Sequence, residues 1–282
     1  MMQNLLRNGL PVVIAGLFVS LLQAGPKVYV GLPISASRPV PMERIDHSTW
    51  NDLLRRYVDE DGGVDYQQWH ANAVDVKRLD EYLAALSAAD PAAKATSDAR
   101  LAFWINAYNA VTIKGILREY PTSSIRNHTA KLFGYNIWKD LMLHVGSQQH
   151  SLDEMEHNIL RKLGDPRIHF AIVCASKGCP RLLNEAYLPD QVQQQLEANA
   201  IDFFSRPENF LHHPSDGQFE LSAILKWFGE DFGADQSAGL KKISRWLPDD
   251  GAQQAAATGR GRIDYLAYDW TLNERSEASA GQ

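Results

Sequence analysis

Residues 101–117 read Leu-Ala-Phe-Trp-Ile-Asn-Ala-Tyr-Asn-Ala-Val-Thr-Ile-Lys-Gly-Ile-Leu, a helix-length run that is apolar almost all round. A helix without a polar face has to be covered on most sides. The run therefore predicts a fold wrapped around one central helix, ended by Pro121. A chain of 282 residues, 45% of them hydrophobic, has enough apolar surface to do the wrapping. Asn106, Asn109 and Thr112 lie on one stripe of this helix, and buried amides need hydrogen-bond partners. Two readings follow. The stripe is a polar network that ties loops to the helix, or one of its amides orients a catalytic histidine or donates to an oxyanion.

The surrounding pattern is mostly helical. Trp50, Leu53, Leu54 and Tyr57 form one face of a helix opening at Ser48, and residues 74–88 form another. Ser151 with Glu154 is a capping box for a helix running to Leu163, which Gly164-Asp165-Pro166 stops. Residues 189–204 are amphipathic, and 221–228 form a short apolar helix. Strand signals are short and scattered, at 169–173, at Phe219-Glu-Leu and in the alternating tail 263–273. Without βαβ alternation the class is α+β: a predominantly helical single domain over 46–275 with a small, mainly antiparallel sheet.

Arg7 followed by the apolar stretch 10–22 has the form of a secretory signal, shorter than the roughly 20 residues a membrane-spanning helix needs. Residues 1–24 are read as a signal peptide, 25–45 as an extended leader and 276–282 as a disordered tail, which places the protein in the periplasm or outside the cell. Leu22 stands where a small residue is usual at a cleavage site. If the signal is not cleaved, it is the expected membrane attachment. A net charge of −6 without a basic run argues against nucleic acid as a partner. Asp59, Asp61 and Asp65 echo part of a calcium loop but lack its glycine and glutamate in register. Two cysteines and nine scattered histidines show no zinc spacing, and no cofactor is expected.

Both cysteines fall in His169-Phe-Ala-Ile-Val-Cys-Ala-Ser-Lys-Gly-Cys-Pro180. This reads as a buried strand delivering Cys174 to an exposed, glycine-containing loop. In a strand His169 and Cys174 face opposite ways, so a base for Cys174 comes from elsewhere, with His157 the best candidate. On the helix after Ser151 the apolar residues Leu152, Met155, Ile159 and Leu163 mark an inward face, and Glu156 falls inside it. A carboxylate so placed needs a partner: an ion pair with Arg167 or Lys131, or a histidine that it orients. Cys179-Pro180 has the form of a helix start, whose dipole would also lower a thiol pKa, so geometry leaves both cysteines open as nucleophile. A Cys174–Cys179 disulfide is the ordinary alternative in an exported protein.

Four motifs run in order: Phe103-Trp-Ile-Asn-Ala-Tyr-Asn-Ala; Ser151-Leu followed by Glu156-His157 and Arg161; Arg167-x-His169-Phe-Ala through Cys174 to Cys179-Pro180; and Tyr268-Asp-Trp-Thr-Leu-Asn273. Together they resemble the family catalogued as domain of unknown function 547, from about Trp50 to Asn273. The resemblance implies that Asn106, Asn109, Glu156, His157, Arg161, His169 and Cys174 belong to a shared pattern. It also implies a more variable Cys179 position, which moves the weight to Cys174. The expectation is a thiol-dependent acyl-transfer or amide-hydrolase-like enzyme acting on a small or peptide-like substrate. In it Cys174 is nucleophile, His157 base, Glu156 or Asn106 the orienting group, and Asn109, Arg161, His169 and Cys179 binding residues. The alternative is a non-catalytic envelope binding or scaffold protein with the disulfide as a staple.

Overall fold

The computed structural model describes residues 26–32, 40–129 and 135–275. The expected signal peptide, part of the leader, Lys131 and the tail lie outside the described residues.

The apolar run is the middle of a helix, Ser97–Glu119, whose first turn is capped by Thr96 accepting from the Ala99 N–H at 3.1 Å. Its side chains are buried on every face from Leu101 to Ile113. The cover comes from helix Ala73–Ser87, the turn Met42–Arg44, helix Val192–Ser205 and the helical stretch after Ser151. Among the described residues no helix is long and apolar enough to cross a membrane.

The class is α+β, about 52% helix and 14% strand. Among the described residues the strands are shared among three small sheets, two of mixed sense and one parallel, instead of gathering in one mainly antiparallel sheet. Val28–Val30, from the segment read as leader, pairs in parallel with Leu141–Val145, which pairs antiparallel with Gln148–Ser151. Val40–Pro41 pairs with Ala89–Asp90. Gln218–Leu221 sits between Phe210–His213 and Arg262–Tyr265.

The described residues form two apolar cores. The larger surrounds the central helix; the smaller gathers Phe203, Phe204, Phe210, Phe219, Leu240 and Trp246. Helix Val192–Ser205 joins them, giving Val192 and Leu196 to the first and Ala200, Phe203 and Phe204 to the second. The segment leading to Cys174 straddles the same seam, with Phe170 in the smaller core and Ala171, Ile172 and Val173 in the larger.

That segment corrects one expectation. Residues 169–173 are not a strand: Pro166–Phe170 is a 3-10 helix capped by Asp165, and an irregular stretch follows. A buried backbone must have its polar groups paired, and a distant amide does this in place of a neighbouring strand. Asn109 Nδ2 donates to the Ala171 carbonyl at 2.9 Å, and its Oδ1 accepts from the Val173 N–H at 3.0 Å.

The capping box of Ser151 and Glu154 is present. The helix after it widens into a π-helix over Met155–Leu160, tightens at Arg161–Leu163 and ends at Gly164, which has φ 78°. A π turn carries an extra residue, so the inward face moves on by one position. Leu160 is buried, whereas Ile159 and Leu163, expected inside, are only half-buried.

Candidate functional site

The loop from Cys174 to Cys179 folds back on itself. Ala175 holds φ 55°, the only positive φ outside glycine among the described residues. An L-residue in that region is strained, and such strain collects at functional sites. The C-terminal segment then runs alongside the loop as a rail. Asn273 N–H donates to Ala175 O at 3.2 Å, Lys177 N–H to Thr271 O at 2.8 Å and Gly178 N–H to Asp269 O at 2.8 Å. A Cβ at Gly178 would lie 2.9 Å from the Asp269 nitrogen, so only glycine lets the two backbones approach this closely.

The turn brings both sulfurs together. They lie 2.6 Å apart, beyond the roughly 2.05 Å of a disulfide, and both cysteines are free. The staple expected under the non-catalytic alternative is therefore not formed. Cys179 Sγ accepts from the Cys174 backbone N–H at 2.9 Å, and the Tyr268 hydroxyl lies 3.1 Å from it. Cys174 Sγ lies 3.0 Å from Ser176 Oγ and 3.1 Å from Tyr268 Oη, and the two hydroxyls are 3.0 Å from each other.

Two close thiols cannot both ionise, so the pair carries one charge. That charge sits on Cys179. Burial works against it, but the donated hydrogen bonds of Cys174, Ser176 and Tyr268 outweigh burial and bring Cys179 down to about 6. Cys174 goes the other way, pushed well up because its proton is held by Cys179 and because it is buried. A backbone N–H can only donate, so the bond from Cys174 N–H assigns the acceptor role to Cys179 independently of any proton placement.

The expected His157 base is elsewhere. Its ring is exposed and its Nδ1 lies 3.1 Å from Arg161 Nη1. Arginine only donates, so Nδ1 is an acceptor committed to Arg161. Among the described residues no imidazole hydrogen-bonds either sulfur. Arg161 also grips Asp231 with Nε at 2.6 Å and Nη2 at 2.9 Å, and pairs with Glu230. Its guanidinium lies 5.5 Å from the Phe228 ring centroid. His169, stacked on Phe228 at 4.2 Å, bonds the same Asp231 through Nε2 at 2.7 Å. Arg161, His157 and His169 thus latch the short helix Gly229–Phe232 onto the π-helical segment. Trp227, which ends the helix before it, stands 47% exposed against Tyr268 and Trp270.

Glu156 points inward as expected but pairs with neither Arg167 nor a histidine ring. Its Oε2 accepts from the Tyr108 hydroxyl at 3.2 Å, while Arg167 bonds Asp165 and Glu197. Burial raises Glu156 above the usual carboxylate range, and the charge on Cys179 adds to the rise. Asn106 commits its whole amide to Tyr187, donating to its carbonyl at 2.8 Å and accepting from its N–H at 3.0 Å. Asn106 and Asn109 are hence clamps that fix loops to the central helix, as the first reading of the stripe has it.

The residues that complete the thiol centre, Ser176 and Tyr268, were quoted in the motifs without being singled out. Tyr108 stands inside the apolar run, where the only signal of its role is that a phenol on a buried helix needs a partner. Asp231 carries no signal at all in the sequence.

Residues 92–204 match the family model described as "Protein of unknown function, DUF547". No curated protein and no solved structure gives a significant match. Tyr268 and Asp231 lie beyond the matched span, so both the thiol centre and the latch draw on parts of the chain that the family model does not cover.

Proposed function

We propose that the protein is a thiol-dependent acyl-transfer or amide-hydrolysing enzyme, with Cys174 as nucleophile and Cys179 taking the role of base expected of His157. The observation that carries this reading is the half-buried Cys174 thiol in direct contact with an anionic acceptor sulfur and two hydroxyl donors.

The chemistry follows from the proton that the two sulfurs share. Cys179 takes the proton of Cys174 as Cys174 Sγ attacks the acyl carbon. The Ser176 and Tyr268 hydroxyls, already within hydrogen-bond reach of the nucleophile, donate to the oxygen that gains charge, which is the work of an oxyanion hole. Cys179 S–H then protonates the leaving group, and in hydrolysis the regenerated thiolate activates water to cleave the thioester. Glu156 is raised by burial and by the charge on Cys179, while the hydrogen bond donated by Tyr108 works against the rise.

A cavity of about 810 Å³ borders the thiol loop through Lys177 and Leu272, and Asp65, Glu274 and Arg275 give it both signs of charge. Mixed polarity of this kind suits a peptide-like amide better than a lipid or a polyanion. The apolar stretch 10–22 and the acidic balance fit an enzyme that acts outside the cytoplasm.

The test is turnover of a panel of peptide thioesters and amides by wild type and by Cys174→Ser. The reading requires an acyl-enzyme adduct on Cys174, seen by intact mass in acid-quenched reactions and absent in the variant. Turnover that survives Cys174→Ser, or no adduct from any member of the panel, overturns it.

A further inference from the structure

We propose that Cys174 and Cys179 also form a reversible dithiol–disulfide couple, which a hydroperoxide closes and a dithiol reductant reopens. This goes beyond acyl transfer, and its chemistry does not depend on that reading.

The geometry is that of a loop already folded for closure. Four residues separate the cysteines. The positive φ at Ala175 and the bond from Cys179 N–H to Ser176 O at 3.0 Å bend the chain so that the Cys174 backbone reaches the Cys179 sulfur. The rail of residues 269–273 holds that bend through Lys177 and Gly178, independently of the sulfurs. Both sulfurs lie on the same two hydroxyls. Once the charge has gone, one of the Ser176 and Tyr268 hydroxyls still donates to the other across 3.0 Å, and the second keeps the neighbouring sulfurs as weak acceptors. Cys174 is the more open of the two and meets an oxidant first; Cys179, buried and anionic, is placed to resolve what forms.

The steps balance. With its proton passed to Cys179, Cys174 Sγ attacks the terminal oxygen of ROOH. The S–O bond forms and the O–O bond breaks, sulfur is oxidised to the sulfenic acid, and the alkoxide leaves as ROH with the proton from Cys179. The Cys179 thiolate then attacks the Cys174 sulfur. The S–S bond forms, the S–O bond breaks, and hydroxide leaves as water with a proton from solvent. A dithiol reverses the closure by two thiol–disulfide exchanges and ends as its own disulfide. Capture by Cys179 stops Cys174 before the irreversible sulfinic stage.

The experiment treats the reduced full chain with hydrogen peroxide, quenches with catalase, denatures the protein and alkylates with iodoacetamide. Wild type should lose the mass of two hydrogens, take up no label and stay monomeric, and dithiothreitol should restore both labels. Cys179→Ser and Cys179→Ala, under the same treatment, should stop at a dimedone-reactive Cys174 and pass on to sulfinic acid. The proposal is overturned if wild type keeps two labelled thiols, if Cys174 reaches sulfinic acid while Cys179 still labels, or if the disulfide joins two chains. Thioester turnover of the reduced protein is read separately. Closure without turnover sinks only the enzymatic reading, and turnover without closure sinks only the couple.

Discussion

At the residue scale the decisive fact is that the pair carries one negative charge, on Cys179, steadied by three donors, with no imidazole among the described residues hydrogen-bonded to either sulfur. Under the proposed reading, Cys179 takes up a proton below about pH 6 and the base is lost, and above it the singly ionised pair is the competent form. The rate should accordingly rise with pH through about 6, as kcat/KM profiles will show. Cys179→Ser leaves Cys174 an ordinary thiol, ionising near 8.5. The acid limb should then move upward, with a loss of roughly 10²–10⁴-fold at pH 7, the usual worth of a positioned base. Tyr268→Phe removes one hydroxyl from both sulfurs while keeping the ring against Trp227 and Trp270. It should lower kcat by about 10²–10³-fold with melting temperature unchanged. His157→Ala should leave the acid limb in place, because His157 bonds Arg161 and not sulfur.

At the scale of elements, two contacts decide how the site is held. Asn109 replaces a strand ladder for the segment before Cys174. Asn109→Leu would leave a buried carbonyl and a buried N–H unpaired, at a cost of about 1–3 kcal/mol for each, measurable by urea titration. Arg161 ties helix Gly229–Phe232 to the π-helical segment. Arg161→Ala should speed amide exchange across 229–232 and raise the alkylation rate of Cys174, since Trp227, two residues before that segment, leans on Tyr268. The same elements explain what was legible in the sequence. The central helix, the capping box at Ser151, the stop at Gly164 and the inward Glu156 are local patterns of spacing and composition, and local patterns survive folding. The strand at 169–173 was misread because its backbone partner is a side chain 64 residues away. The π turn was invisible because a period of 3.6 assigns Ile159, not Leu160, to the inner face. Tyr268 reaches Cys174 across 94 residues and Asp231 reaches His169 across 62. Such pairings are fixed by packing of whole elements, not by spacing along the chain.

At the scale of the molecule, the thiol loop sits where two cores meet. Phe170 anchors the smaller core against Phe203, Phe204, Phe232 and Trp246, four residues before Cys174. Helix Val192–Ser205 spans both cores, so they should unfold together, in a single transition by fluorescence and by circular dichroism. Phe170→Ala should cost about 3–5 kcal/mol and blunt thiol reactivity as well, because it loosens the seam that positions the loop. Everything proposed for the site depends on the pair holding a single charge near neutral pH. Thiolate absorbance of the reduced native protein, followed from acid to alkali, reads that charge directly. The account predicts one thiolate appearing near pH 6, lost in Cys179→Ser, and a second only well above the ordinary thiol range. Two thiolates appearing together near pH 8.5 would contradict it.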